Sequence, residues 1–230
     1  MKGQDYVWDL PVRLTHLAFV VGVLGCFATA RFHWLPMDWH FYFGYLALGA
    51  VLLRLIWGVL GSETARFTHF VRGPGAIFQH VKGLIGSGYQ AHAGHNPLGG
   101  LAVIAMLLLI LMQSVTGLFS SDEIQWYGPL SERIDTETMQ WFSSWHRIIE
   151  SWLLVVIAVH VLAVALYGLL KRDNLLTPML TGYKRGIGFV MRGRPAWLSW
   201  LLIALVAAGI WVLITYWPQP EVVGSVFDDY

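Results

Sequence analysis

The run from Trp145 to Leu170, WHRIIESWLLVVIAVHVLAVALYGLL, carries two histidines, His146 and His160, fourteen residues apart. On an α-helix that spacing is almost four turns, about 40° short of a full return, with about 21 Å of rise. Both imidazoles then face the same way at two depths. An ionisable side chain deep in an apolar span is costly to insert and marks a functional site. The run reads as one helix that ligates two metal centres stacked across a membrane.

The rest of the composition fits that setting. Hydrophobic residues make up 56% of the 230, charged residues 13%, and twelve are Trp, with a mean hydropathy of +0.56. This is far more apolar than a soluble domain of the same size. The single cysteine, Cys26, excludes an internal disulfide framework and thiolate-held zinc or iron–sulfur clusters. No internal repeat or low-complexity stretch stands out, and nucleic acid is not an expected partner.

Working outward, four further apolar segments flank the first: about Leu14 to Phe32, His40 to Leu60, Leu98 to Phe119 and Trp197 to Trp217. Each is long enough to cross about 30 Å of hydrocarbon, and in lipid such segments must be helices. Ala28-Thr29-Ala30 has the form of a signal-peptidase site. However, the preceding run is long, its start is weakly basic, and cleavage would remove His16, so the segment reads as a retained first span. The expected fold class is an all-α integral membrane protein, a four-helix bundle plus a fifth, carboxyl-terminal helix. Its division is 1–184 for the bundle and 185–230 for a basic loop, the fifth span and an acidic tail.

Charge sets the orientation. Lys2 and Arg13, then Arg66, Arg72 and Lys82, then Lys171, Arg172, Lys184, Arg185, Arg192 and Arg194 fall on one side, which is therefore cytoplasmic. The other side has Arg31, Arg133 and Arg147 against ten carboxylates, three of them in the tail: Glu221, Asp228 and Asp229. The outer loop from Ser120 to Ser144 is acidic and carries Trp126, Tyr127, Trp141 and Trp145, residues that mark a lipid interface or a docking surface. On the inner side, the apolar positions Ile77, Phe78, Val81, Leu84 and Ile85 between Gly75 and Gly86 recur at helical spacing and predict a short interfacial helix.

Sorting the histidines by depth gives two cross-helix pairs. His40 starts the second span level with His146, and His16 starts the first span on the side of His160. A structural zinc wants four ligands around one point, which two separated pairs do not supply. Haem iron takes axial ligands on opposite faces of a planar ring, and a pair of histidines on facing helices suits it. Gly22, Gly25, Gly44, Gly99, Gly100 and Gly117 would admit a flat cofactor or, equally, close helix packing. Arg54 lies near the depth of His160, where it would pair a haem propionate or else snorkel to the interface. His33, His69, His80, His92 and His95 fall in loops or the interfacial helix, where water is at hand; a proton relay is open to His80 or His95.

The segments Val7-Trp8-Asp9-Leu10-Pro11-Val12-Arg13-Leu14-Thr15-His16, His40-Phe41-Tyr42-Phe43-Gly44-Tyr45 leading to Leu53-Arg54-Leu55-Ile56-Trp57-Gly58, and Gly94-His95-Asn96-Pro97-Leu98-Gly99 resemble the bacterial cytochrome b561 family, which includes b-type cytochrome subunits of nickel–iron hydrogenases. The likeness runs from about Tyr6 to Lys184. It implies two b haems with His16, His40, His146 and His160 as axial ligands, electron transfer at the bacterial inner membrane, a quinone at one end, and a periplasmic c-type cytochrome or hydrogenase at the other. The quinone is expected on the inner side, beside Arg13, Arg54 and the interfacial helix. Two other functions fit the same residues: a quinone-reducing oxidase of a small reductant such as superoxide, and a haem-free histidine-containing transporter.

Overall fold

Five long apolar helices dominate the structure, a computed structural model that describes residues 4–85 and 89–216. They are α1 (Leu10–Ala30), α2 (Asp38–Leu60), α5 (Pro97–Phe119), α6 (Thr136–Leu170) and α8 (Ala196–Tyr216); between them lie α3 (Phe67–Phe70), α4 (Pro74–Ile85) and α7 (Leu176–Thr181). The chain is an all-α integral membrane protein. A two-stranded sheet, β1 (Gln4–Tyr6) antiparallel to β2 (Tyr183–Arg185), is a small addition, and the expected division after residue 184 falls inside β2. Trp217 and the acidic tail, together with Lys2 and Gly86, lie outside the described residues.

Helix starts are set by side chains that satisfy free N–H groups. Asp9 accepts from Val12 N at 3.2 Å with Pro11 in the first turn, Asn96 accepts from Gly99 N at 2.7 Å ahead of Pro97, and Asp135 accepts from Thr138 N at 2.9 Å. These caps move two expected boundaries. α1 begins at Leu10 rather than Leu14. α6 begins at Thr136 rather than Trp145, so the outer loop is shorter than expected and Trp141 and Trp145 stand on a helix. At 1.5 Å per residue α6 is about 52 Å long, well beyond the hydrocarbon, and hydropathy registers only its apolar part.

The centre of the bundle is a packed cluster of Val23, Ala47, Leu48, Val51, Leu107, Ile110 and Leu153 from α1, α2, α5 and α6. α1 lies along α2, α5 along α6, and α8 against α2, where Gly49 faces Val206 and Ile210. Gly22 and Gly25 let α1 approach α2: a Cβ on Gly25 would fall 2.3 Å from the Phe43 ring. Outward-facing residues such as Leu24, Leu108, Trp152 and Leu162 are exposed, as expected where lipid is the solvent.

The end where the chain begins, here the near end, has its own core of Val7, Trp8, Val12, Trp57 and Ala65. Asp9 joins it to α2 by accepting from Trp57 Nε1 at 2.8 Å. Val7 N donates to the carbonyl of Gly182 at 2.8 Å, and Gly182 adopts a left-handed φ of 90° where a side chain would meet Tyr6. At the far end, Ser143 on α6 anchors the loop by accepting from Ser121 N at 2.9 Å.

Candidate functional site

At the far end, the first turn of α2 brings His40 opposite His146 of α6, their ring centres 6.4 Å apart and their planes 75° apart. An imidazole nitrogen stands about 2 Å from a metal it ligates. Two rings binding one ion from opposite sides therefore have their nitrogens about 4 Å apart and their centres about 6 Å apart. The observed spacing is compatible with two imidazoles that would hold one ion between them. Thr29 Oγ1 lies 3.0 Å from His40 Nδ1, and Thr116 Oγ1 lies 3.1 Å from His146 Nδ1. His146 Nδ1 also meets the carbonyl of Gln113 at 3.0 Å, while the Gln113 amide nitrogen lies 3.1 Å from His146 Nε2. That amide's oxygen is buried without a partner, so its hold on Nε2 is one-sided.

At the near end, His16 of α1 and His160 of α6 lie within electrostatic reach of each other. A third histidine joins them. His95 packs its ring between Trp8 and Phe70, at 4.7 and 4.9 Å between centres, and feels Arg54, His160 and His16. Burial, then the Arg54 charge, push its pKa well below that of an ordinary imidazole. His95, expected in a loop with water at hand, is half-buried and lines a cavity of about 210 Å³ together with His69, Arg72 and Pro97.

Arg54 is the strongest sign that this end holds an anion. It is 4% exposed, its guanidinium sits 5.4 and 5.8 Å from the Phe67 and Phe70 rings, and Nη1 and Nη2 are buried without a hydrogen-bond partner. The charge of Asp9 reaches it, but that carboxylate is already shared between Trp57 and Val12. A buried cation with uncompensated donors is costly. The carboxylate of a haem propionate fits those donors in charge and in fork geometry. Arg13 donates from Nη2 to the carbonyl of Leu180 at 2.6 Å, which ties α1 to the end of α7, while its Nε is buried without a partner.

Not every glycine expected to clear room for a flat cofactor does so. Gly22 and Gly25 face Phe43, Gly99 faces Asn96 and Gly100 faces Phe70, so these four serve protein packing. Gly117 makes room for His146, since a Cβ there would fall 2.9 Å from the imidazole; Gly44 has no atom within 4 Å of that position. Among the described residues, no three His, Cys, Asp or Glu side chains are placed so that they could hold one metal ion.

The near-end surface carries a group of titratable side chains. His80 Nε2 on α4 lies 2.9 Å from the Tyr167 hydroxyl, and its ring centre is 5.3 Å from that of His92. The Tyr89 hydroxyl donates to Asp173, which also pairs with Lys184 at 2.8 Å. A groove of about 270 Å³ runs between α4 and this group, lined by Gln79, His80, Tyr89 and His92.

Sequence reasoning missed Thr29, Thr116, Gln113 and the coupling of His95 to Arg54, His16 and His160. Only the three-dimensional neighbours of the threonines distinguish them from ordinary helix residues, whereas a histidine directly before an Asn-Pro helix start was a visible signal for His95.

The model of the family described as prokaryotic cytochrome b561 matches residues 7–182. The chain is 27% identical to a probable Ni/Fe-hydrogenase B-type cytochrome subunit of Azotobacter chroococcum mcd 1, over 78% of this chain and 88% of that protein. It is 26% identical, over the same shares, to the probable Ni/Fe-hydrogenase B-type cytochrome subunit of Azotobacter vinelandii. No solved structure matches.

Proposed function

This chain belongs to the prokaryotic cytochrome b561 family and is a membrane b-type cytochrome of electron transfer; from that premise we propose that it carries two b haems and relays electrons between the quinone pool and a periplasmic redox protein. His40 and His146 would hold one haem, and His16 and His160 the other. The observation that supports this reading is the placement of one member of each pair, His146 and His160, on the single helix α6, with the His40 and His146 ring centres 6.4 Å apart. In this reading the bacterial inner membrane surrounds the bundle, the near end is cytoplasmic and the far end periplasmic. The partner is a c-type cytochrome or a hydrogenase, the latter in keeping with the names of the relatives.

Haem b, when bound, would supply reversible one-electron chemistry. The protein's part is to hold and insulate. The core cluster from Val23 to Leu153 lies between the two histidine pairs and excludes water from the interval, while Arg54 balances negative charge at the near end. The quinone belongs at the near end, where the apolar face of α4 meets the bilayer and His80, Tyr167 and His92 can exchange protons with water.

Single histidine variants and visible spectroscopy of the purified protein test the pairing. His40→Ala and His146→Ala should each remove the same spectral component, and His16→Ala and His160→Ala the other. Loss of one and the same component in His16→Ala and His146→Ala would overturn the pairing.

A further inference from the structure

The far-end histidines are seated in the same way on two different helices. On α1, the Thr29 hydroxyl has one proton and two carbonyls to place it on, those of Gly25 at 3.0 Å and Cys26 at 2.8 Å. On α5, the Thr116 hydroxyl faces the carbonyls of Met112 at 2.8 Å and Gln113 at 3.0 Å. Each threonine can therefore place its proton on its own helix and leave a lone pair for a histidine Nδ1. The carbonyl three residues earlier reinforces the seat: that of Gln113 accepts from His146 at 3.0 Å, and the Cys26 backbone faces His40.

The donors and acceptors admit one tautomer. Carbonyl oxygens and spent hydroxyls only accept, so Nδ1 of each histidine carries the hydrogen. On His146 the other nitrogen agrees, because the Gln113 amide nitrogen can only donate and lies 3.1 Å from Nε2, a contact that metal ligation through Nε2 would displace. Both threonines are buried, at 1% and 7% exposure, so water does not substitute for them. No hydrogen bond to the rings of His16 or His160 is formed among the described residues, and the device belongs to the far end alone.

We propose that Thr29 and Thr116 are positioning residues that lock His40 and His146 as Nδ1–H tautomers, presenting Nε2 of each to the far-end haem iron and strengthening both as electron donors. This rests on the ligand assignment above and assigns those ligands their orientation and basicity. An acceptor on the remote N–H raises the basicity of a ligating imidazole. A more basic ligand stabilises the ferric state, so the lock lowers the far-end potential relative to an unlocked pair.

The test compares Thr29→Val and Thr116→Val, which keep shape and lose the acceptor, with Thr29→Ser and Thr116→Ser, which keep the acceptor. Each is made in the full-length protein and purified with its haems. Redox titration should show the far-end component of each valine variant raised by about tenfold in its one-electron equilibrium, about 59 mV. The near-end component should not move, the serine variants should titrate like the parent, and low-temperature EPR should show only the far-end ferric signal altered. Unmoved potentials in both valine variants would overturn the lock, as would serine variants shifted as far as valine ones. If a valine variant loses the far-end haem, its serine counterpart decides: retention at the parent potential supports the lock, and loss overturns it. His40→Ala, run in parallel, separates the two readings. If it keeps the full haem complement, the ligand assignment fails and the lock with it; if it loses the far-end haem while the valine variants shift nothing, the lock alone fails.

Discussion

Arg54 holds a positive charge beside two phenylalanine rings with its terminal nitrogens unpartnered, and that charge must act on whatever sits beside it. Removing a cation near an iron centre favours the ferric state. Arg54→Leu is therefore expected to lower the potential of the near-end haem by roughly 30–60 mV, a threefold to tenfold change in a one-electron equilibrium, while Arg54→Lys retains most of the parent value. A redox titration that finds only the far-end component displaced would refute the placement. Tyr89 gives a second prediction at this scale, through pH. Burial pushes its hydroxyl above the ordinary value of 10.0, and its hydrogen bond to Asp173 and the charge of that carboxylate push it further. Since the folded value is the higher one, the contribution of Tyr89 to stability is complete below pH 10 and is lost as pH rises beyond it. The Tm advantage of the parent over Tyr89→Phe should accordingly be constant up to about pH 9 and shrink by about pH 11; an advantage that persists unchanged would show that the hydroxyl contributes nothing through its proton.

Among the elements, α4 differs from the spanning helices in being short and amphipathic. It packs against α5, is tied to α6 through His80 and Tyr167, and leaves Phe78 72% exposed. The expected range of Gly75 to Gly86 and the observed Pro74–Ile85 agree to a residue at each described end. An exposed residue can be changed without disturbing the core, so Phe78→Glu should leave both haems bound. A charge on that face should nevertheless impede a hydrophobic quinone approaching along the membrane, and quinone-linked reduction of the haems should slow at least several-fold. Unaltered quinone kinetics in a fully haem-loaded variant would move the quinone elsewhere. The elements also show where pattern reading is weakest. α6 was recognised from Trp145, where it becomes apolar, although Asp135 had already capped it ten residues earlier, because hydropathy records contact with lipid and not helicity.

For the molecule as a whole, charge is divided between the two ends. Basic residues collect at the near end and carboxylates at the far end, where Asp122, despite partial burial acting the other way, is held below the usual carboxylate range by the backbone N–H groups of Trp126, Gln125 and Ile124. A field of one sign steers a partner of the other and fades over a Debye length of about 8 Å at physiological ionic strength. Electron exchange with a basic cytochrome c should therefore slow as salt rises from about 0.01 to 0.5 M. A rate constant indifferent to salt would mean that the carboxylates are merely solvated.

The sequence by itself determined the class, the number and approximate extent of the spans, and the relative depths of His16, His40, His146 and His160, because transfer into lipid is a property of segments and helical rise converts spacing directly into depth. The family likeness was legible for the same reason: its motifs are contiguous runs such as Gly94 to Gly99. Only the tertiary structure decided which groups face those histidines. That Thr29 and Thr116 meet Nδ1, that Gly117 clears His146 while Gly25 clears Phe43, and that the charge of Arg54 acts on His95 depends on the rotation and approach of separate helices. Those quantities are fixed by side-chain packing across α1, α2, α5 and α6, and one-dimensional spacing does not contain them.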